Sequence, residues 1–251
     1  MMRRGRVATS SHSRPSDQSR RGTDFQKPNA DAIRELASQL LAECKNVQHP
    51  STAGQRQIRR KYSKLVRNWP DASILQLARI LCERNDERWL AYEIVLDHDV
   101  FRTVGQRHLE QLGKGVDSWW TVDAFARTLT GPAWLNGRIS ERVIQRWAAS
   151  PDYWWRRVAL VSTVALNMRS HGGTGDTRRT LDICGRLIED HTDMVVKGMS
   201  WALRALVVFD PDAVRRFLAQ HRDRLHPRVI REVSNKLNIG LKNPRRARTN
   251  N

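Results

Sequence analysis

From Asn29 to about Leu241 the apolar residues of this chain recur every three to four positions, and no stretch alternates apolar with polar for long. That spacing gives each segment one apolar stripe on a helix and denies a strand a consistent inner face. An all-α fold is expected. The pattern predicts helices over 30–45, 53–68, 71–84, 86–98, 104–113, 117–130, 139–149, 152–168, 176–190, 193–208, 211–223 and 227–239. Ser150-Pro151 and Asp210-Pro211 each place a capping residue before a proline, whose missing N–H is harmless at the first helical position. Both are read as helix starts.

The helices also repeat. Asp86, Asp117, Asp152 and Asp193 each precede a bulky apolar residue by two to three positions, at successive separations of 31, 35 and 41 residues. Two-helix units of roughly this length bury their faces only against neighbouring units, and so build curved solenoids. The expectation is one HEAT-like helical-repeat solenoid over residues 29–241, about six antiparallel helix pairs with a concave basic groove. The glycines at 172, 173 and 175 mark its longest connection, a loop between repeats.

Charge narrows the partner. Forty-four Lys and Arg against 26 Asp and Glu leave +18, which attracts polyanions; nucleic acid is favoured over a membrane surface. Residues 1–28 carry +5, are poor in apolar side chains, and are expected to form a disordered basic tail. Residues 242–251 add +4 as a second basic tail, so +9 remains on the rest. No segment approaches the ~20 apolar residues of a membrane span, and the leader lacks the apolar run of a secretory signal. A cytoplasmic protein is expected, with an Arg- and Ser-rich transit peptide as the alternative. Three scattered cysteines suit a reducing compartment and make neither a disulfide framework nor a thiolate metal site. No histidine pair has metal-ligand spacing, and Asp97-His98-Asp99 is read as a helix end. No metal and no cofactor are expected.

Three segments hold candidate functional residues. In Asp117-Ser118-Trp119-Trp120-Thr121-Val122-Asp123, Trp119 and Asp123 are at i and i+4 and share a helix face, with Trp120 pointing elsewhere. In Tyr153-Trp154-Trp155-Arg156-Arg157, an arginine on an apolar helix is costly to bury unpaired. One of the two arginines should therefore reach solvent and the other an anion or a carboxylate. In the segment from Met194 to Arg204, Lys197, Trp201 and Arg204 share one face, and cations interleaved with an indole fit a nucleic-acid surface. Taken singly, Trp119 and Trp201 are read first as core residues beside solvated charges, and Arg156 and Arg157 as surface charges whose stems cover the apolar face.

Together these segments resemble the DNA alkylation repair glycosylases of the AlkD-like family, solenoids that excise alkylated purines. The resemblance runs through most of residues 30–240, including the Gln55-to-Lys64 helix and Glu87-Arg88-Trp89. Its specific part is a Trp and an Asp four residues apart, an Arg in an Arg-x-Ala-apolar helix and a Trp in a Trp-x-Leu-Arg helix. Trp119 with Asp123, Arg157 and Trp201 stand at those positions. The family's pattern implies Asp123 as the catalytic carboxylate, Trp119 and Trp201 around a cationic lesion, and Arg157 on a backbone phosphate. It implies duplex DNA with alkylated purines as substrate, a lesion engaged while stacked, a monomer, and a cytoplasmic location, nucleoid-associated when bound to DNA. The long basic N-terminal tail, the Gly-rich loop, Trp120 and Trp155 depart from the pattern. A catalytically silent DNA binder and a protein-binding scaffold stay open as alternatives.

Overall fold

The computed structural model describes residues 27–47, 52–84 and 87–244; Asp86 and most of both basic tails lie outside them. Among the described residues there are thirteen α-helices and no strand. They are α1 (Ala30–Lys45), α2 (Thr52–Leu65), α3 (Asp71–Cys82), α4 (Arg88–Asp97), α5 (Gln106–Gly113), α6 (Trp119–Phe125) and α7 (Gly131–Leu135), followed by α8 (Glu141–Ala148), α9 (Tyr153–Leu166), α10 (Thr177–Arg186), α11 (Asp193–Leu206), α12 (Pro211–Gln220) and α13 (Pro227–Ile239).

The amphipathic stripes find partners in a repeating order. With α7 counted as an extension of α6, the helices make six successive pairs, as the helical-repeat reading expects. One row is continuous: α2 packs on α4, α4 on α6, α6 on α9, α9 on α11 and α11 on α13. The other row runs α1 to α3 to α5 and then α8 to α10. Helix α9 is enclosed by both rows, and its residues from Arg157 to Leu166 are all buried. A helix apolar on every side belongs in a core, and α9 is the axis of this one. No helix among the described residues is long and apolar enough to cross a membrane.

Two predicted boundaries are corrected. The helix expected to end at 130 does not stop at Gly131-Pro132. It widens into a π turn over Ala126–Thr130, in which the Gly131 N–H bonds to the Ala126 carbonyl, and continues as α7. The wide turn absorbs the hydrogen bond that proline cannot donate. Glycine is needed for a second reason: a Cβ at 131 would lie 2.6 Å from the Ala165 Cβ and 2.7 Å from the Ser162 carbonyl on α9. The other correction is Ser150-Pro151, which precedes the helix start. Asp152 caps α9, its carboxylate accepting the Trp154 N–H at 2.8 Å. Asp210-Pro211 does start α12, with Asp210 accepting from Ala213 at 2.9 Å.

The aspartate repeat is looser than its spacing suggests. Asp152 is a cap, Asp193 is the first residue of α11 behind Thr192, and Asp117 stands ahead of the Ser118 cap of α6. The Gly-rich connection is a tight closure of α9: the Gly175 N–H bonds to the Leu166 carbonyl, and Gly173 leaves no room for a Cβ against the backbone of Ala165 and Leu166.

Candidate functional site

Every candidate residue lies on the continuous row. Ser118 caps α6 by accepting the Thr121 N–H, and Phe125 anchors the other end of the helix against Tyr92 and Trp155, at ring separations of 5.2 and 6.0 Å. Trp155 also meets Trp147 at 5.0 Å. Between these anchors Asp123 projects toward α9.

Arg157 stands at the start of the buried run of α9, where an unpaired guanidinium would be costly. Its Nε donates to Asp123 Oδ1 at 2.9 Å and its Nη2 to Oδ2 at 2.8 Å, a bidentate pair that fixes both planes. Nη1 donates to the Met194 carbonyl of α11 at 2.5 Å. The Arg157 side chain is 5 % exposed and that of Asp123 16 %. Burial pushes the Asp123 carboxyl above its ordinary range, with Arg157 first and Arg127 second pulling it back.

This geometry revises two expectations about the arginines. Arg157, expected on a backbone phosphate, commits three of its five N–H donors inside the protein and supports Asp123, while still bordering the second cavity. Arg156, expected to reach solvent if Arg157 did not, pairs with Asp190 at 2.6 Å and donates to the Ser150 and Pro151 carbonyls at 2.9 Å. Stacked repeats supply a carboxylate on each side of α9, so both cations are satisfied.

Two cavities flank the Asp123–Arg157 pair, and Trp119 and Trp201 form a wall common to both. The first, about 180 Å³, has Asp123, Glu93, Trp89, Trp120 and Arg127 around it. The second, about 350 Å³, is bordered by Arg157, Lys197, Arg204 and Lys242. Trp119 is 54 % exposed, which removes the reading of it as a core residue. Trp120, expected to point elsewhere, borders the first cavity and meets Trp119 edge-on at 6.0 Å. Both indoles stand in the exposed first turn of α6, so two successive residues can reach the cleft.

Lys197, Trp201 and Arg204 meet at the second cavity. Lys197 pairs with Asp193 at 2.7 Å. Arg204 donates to Ser200 Oγ at 3.2 Å, and that hydroxyl donates to the buried Glu232 carboxylate at 2.6 Å. Burial lowers the Arg204 pKa, with Glu232 opposing.

Several cleft residues were not among the candidates, although Trp89 and the helix of Gln55 and Arg56 carry part of the resemblance. Trp89 and Glu93 of α4 repeat the i, i+4 spacing of Trp119 and Asp123 one helix pair earlier, a signal that was available. Gln55 and Arg56 of α2, and Arg127 and Thr128 of the π turn, carried no such pattern.

A stacked array of helix pairs, with an aromatic and ionic cleft along its continuous row, makes this a helical-repeat protein whose candidate site draws on helices α2, α4, α6, α9 and α11. The family described as DNA alkylation repair enzyme matches residues 50–237, most of the chain, and the protein belongs to that family. No curated protein matches the chain. Membership gives it a role in alkylation repair, as an enzyme with DNA as its partner.

Proposed function

We propose that the protein is a DNA glycosylase that hydrolyses the N-glycosidic bond of cationic N3- or N7-alkylated purines in duplex DNA. The observation that carries this reading is a largely buried carboxylate, Asp123, oriented by a bidentate arginine beside two indoles that line the cleft, Trp119 exposed and Trp201 partly buried.

A purine alkylated at N3 or N7 carries a positive charge and leaves without being protonated. When the C1′–N bond breaks, its electron pair stays on the base and cancels that charge, while the positive charge moves to the sugar as an oxocarbenium ion. Asp123 opposes that developing charge and accepts a proton from the water that adds to C1′. Trp119 and Trp201 attract the cation by up to ~2 kcal/mol when desolvated. The attraction is lost once the base is neutral, which favours release of product. Arg157 acts as a positioning residue that holds the carboxylate in register. Lys197 and Arg204, beside the common tryptophan wall, suit the strand's phosphates, which contribute salt-dependent affinity without reading sequence. Two adjoining cavities that share the Trp119 and Trp201 wall suit a lesion engaged without a base-flipping pocket, and the reading takes the protein to act as a monomer.

The test is direct. Duplex DNA containing 7-methylguanine is incubated with the protein and with Asp123→Asn, and free base is measured. Release by the first and not the second is expected; equal release would remove Asp123 from the mechanism, and none from either would leave a silent DNA binder.

A further inference from the structure

Among the arginines around the first cavity, Arg127 differs from its neighbours. Arg56 and Arg59 are held by Glu93, and on α9 Arg156 is held by Asp190 and Arg157 by Asp123. Arg127 has no hydrogen-bond or ion-pair partner among the described residues, although it borders the cavity one turn beyond Asp123. Its charge is felt on two sides: it opposes the burial-driven rise of Asp123, and it adds to the burial that lowers His171. A partly buried guanidinium without a protein anion is left to water, and a ligand that brings an anion can take its donors.

Packing sets its place. Arg127 lies in the π turn Ala126–Thr130, and that turn is pinned to α9 by the close approach of Gly131 and by the 2.5 Å contact between the Thr130 and Ser162 hydroxyls. The cation is thus positioned by the backbone and left with its donors free. Extra residues in π turns recur at functional sites, where they re-aim a side chain.

We propose that Arg127 holds the DNA backbone phosphate next to the lesion, with all its side-chain donors free where Arg157 commits three of its five to Asp123 and Met194. The inference rests on the reading of the cleft as a duplex-DNA site. A planar guanidinium suits a phosphate, and a contact of this kind sets which nucleotide faces Asp123 without reading its identity.

The probe is a duplex with a single 7-methylguanine, made also as a series in which one phosphate at a time near the lesion is a neutral methylphosphonate. For wild type, one neutral linkage is expected to weaken binding. Arg127→Gln should bind the fully charged duplex roughly tenfold more weakly and no longer sense that linkage. Its slope of log affinity against log salt should fall by about 1. Arg127→Lys should keep the slope. Wild-type affinity and slope in Arg127→Gln, or sensitivity to the same linkage as wild type, would overturn the proposal. So would a change confined to the pH profile of excision, which would make Arg127 a modulator of Asp123 alone. The binding measurements need no excision, so absence of base release by wild type counts against the glycosylase reading and leaves this one decided on its own data.

Discussion

Two consecutive repeats place an indole and a carboxylate four residues apart on the same row of helices. Trp89 and Glu93 on α4 and Trp119 and Asp123 on α6 all border one cavity. The carboxylates are about equally covered, with side chains 18 % and 16 % exposed. Their partners differ. Glu93 faces Arg56 at 3.2 Å and Arg59 at 2.9 Å, both from the preceding helix of the row, and Arg59 also reaches Asp97. That ladder ties α2 to α4. Asp123 has a single guanidinium from the following repeat, and that arginine is itself fixed by burial and a carbonyl. A shared spacing therefore selects a face, whereas the partner decides between a structural tie and a poised carboxylate.

The largest effect should separate the two carboxylates. Asp123→Asn is expected to lower single-turnover release of 7-methylguanine by about 10²- to 10⁴-fold, the usual contribution of a positioned base. Glu93→Gln should stay within roughly threefold, because it removes an already neutralised group outside the reacting centre. A comparable loss for both would make the repeats chemically equivalent.

Their arginines come next. Removing one member of a buried ion pair costs about 3–5 kcal/mol, so Arg157→Gln should lower the unfolding midpoint markedly in denaturant titration. Arg56, whose side chain is 41 % exposed, should cost at most ~1 kcal/mol on substitution. The pH profile carries the same contrast. Burial raises the Asp123 pKa and Arg157 lowers it, so the excision rate should fall on acidification with a midpoint above the ordinary Asp value. Arg157→Gln should move that midpoint higher still. Taken alone, a carboxyl that holds its proton to higher pH when folded than when unfolded contributes less stability as pH rises through that interval.

The indoles should differ by less. Trp119→Ala or Trp201→Ala removes a cation–π contact worth up to ~2 kcal/mol, about 30-fold in affinity for a cationic lesion. Trp89→Ala should cost about fivefold or less, since its repeat carries the tie rather than the chemistry. Binding to DNA already lacking the base measures how much of each loss is specific to the cation. The smallest effect on chemistry belongs to the N-terminal tail. Deleting residues 1–28 should flatten the salt dependence of binding and leave the rate on bound lesion nearly unchanged; a collapse of that rate would give the tail more than an electrostatic part.

Much of the array was legible beforehand. The helices follow from apolar periodicity, and Lys197, Trp201 and Arg204 meet at one cavity because residues three and four apart share a helix face. The helix end expected at 130 was misplaced by Gly131-Pro132. Its glycine serves close packing on α9, and a π turn accommodates its proline. Trp120 misled because face assignment by spacing assumes packed neighbours on every side, and the first turn of α6 is exposed. Trp89 was noted only for the resemblance, and its pairing with Glu93 was missed although the spacing matched that of Trp119 and Asp123.

By itself the sequence determined what is local: an all-helical chain, the repeat of helix pairs and the residues that share each face. These depend on the period of a helix and on burial of one stripe, which neighbours in the chain decide among themselves. Only the tertiary structure decided the partners. Asp123 and Arg157 are 34 residues apart, as are Arg156 and Asp190, and such groups meet only after the repeats stack. Stacking is what turned Arg157 inward to Asp123 and left Arg127 with its donors free in the cleft.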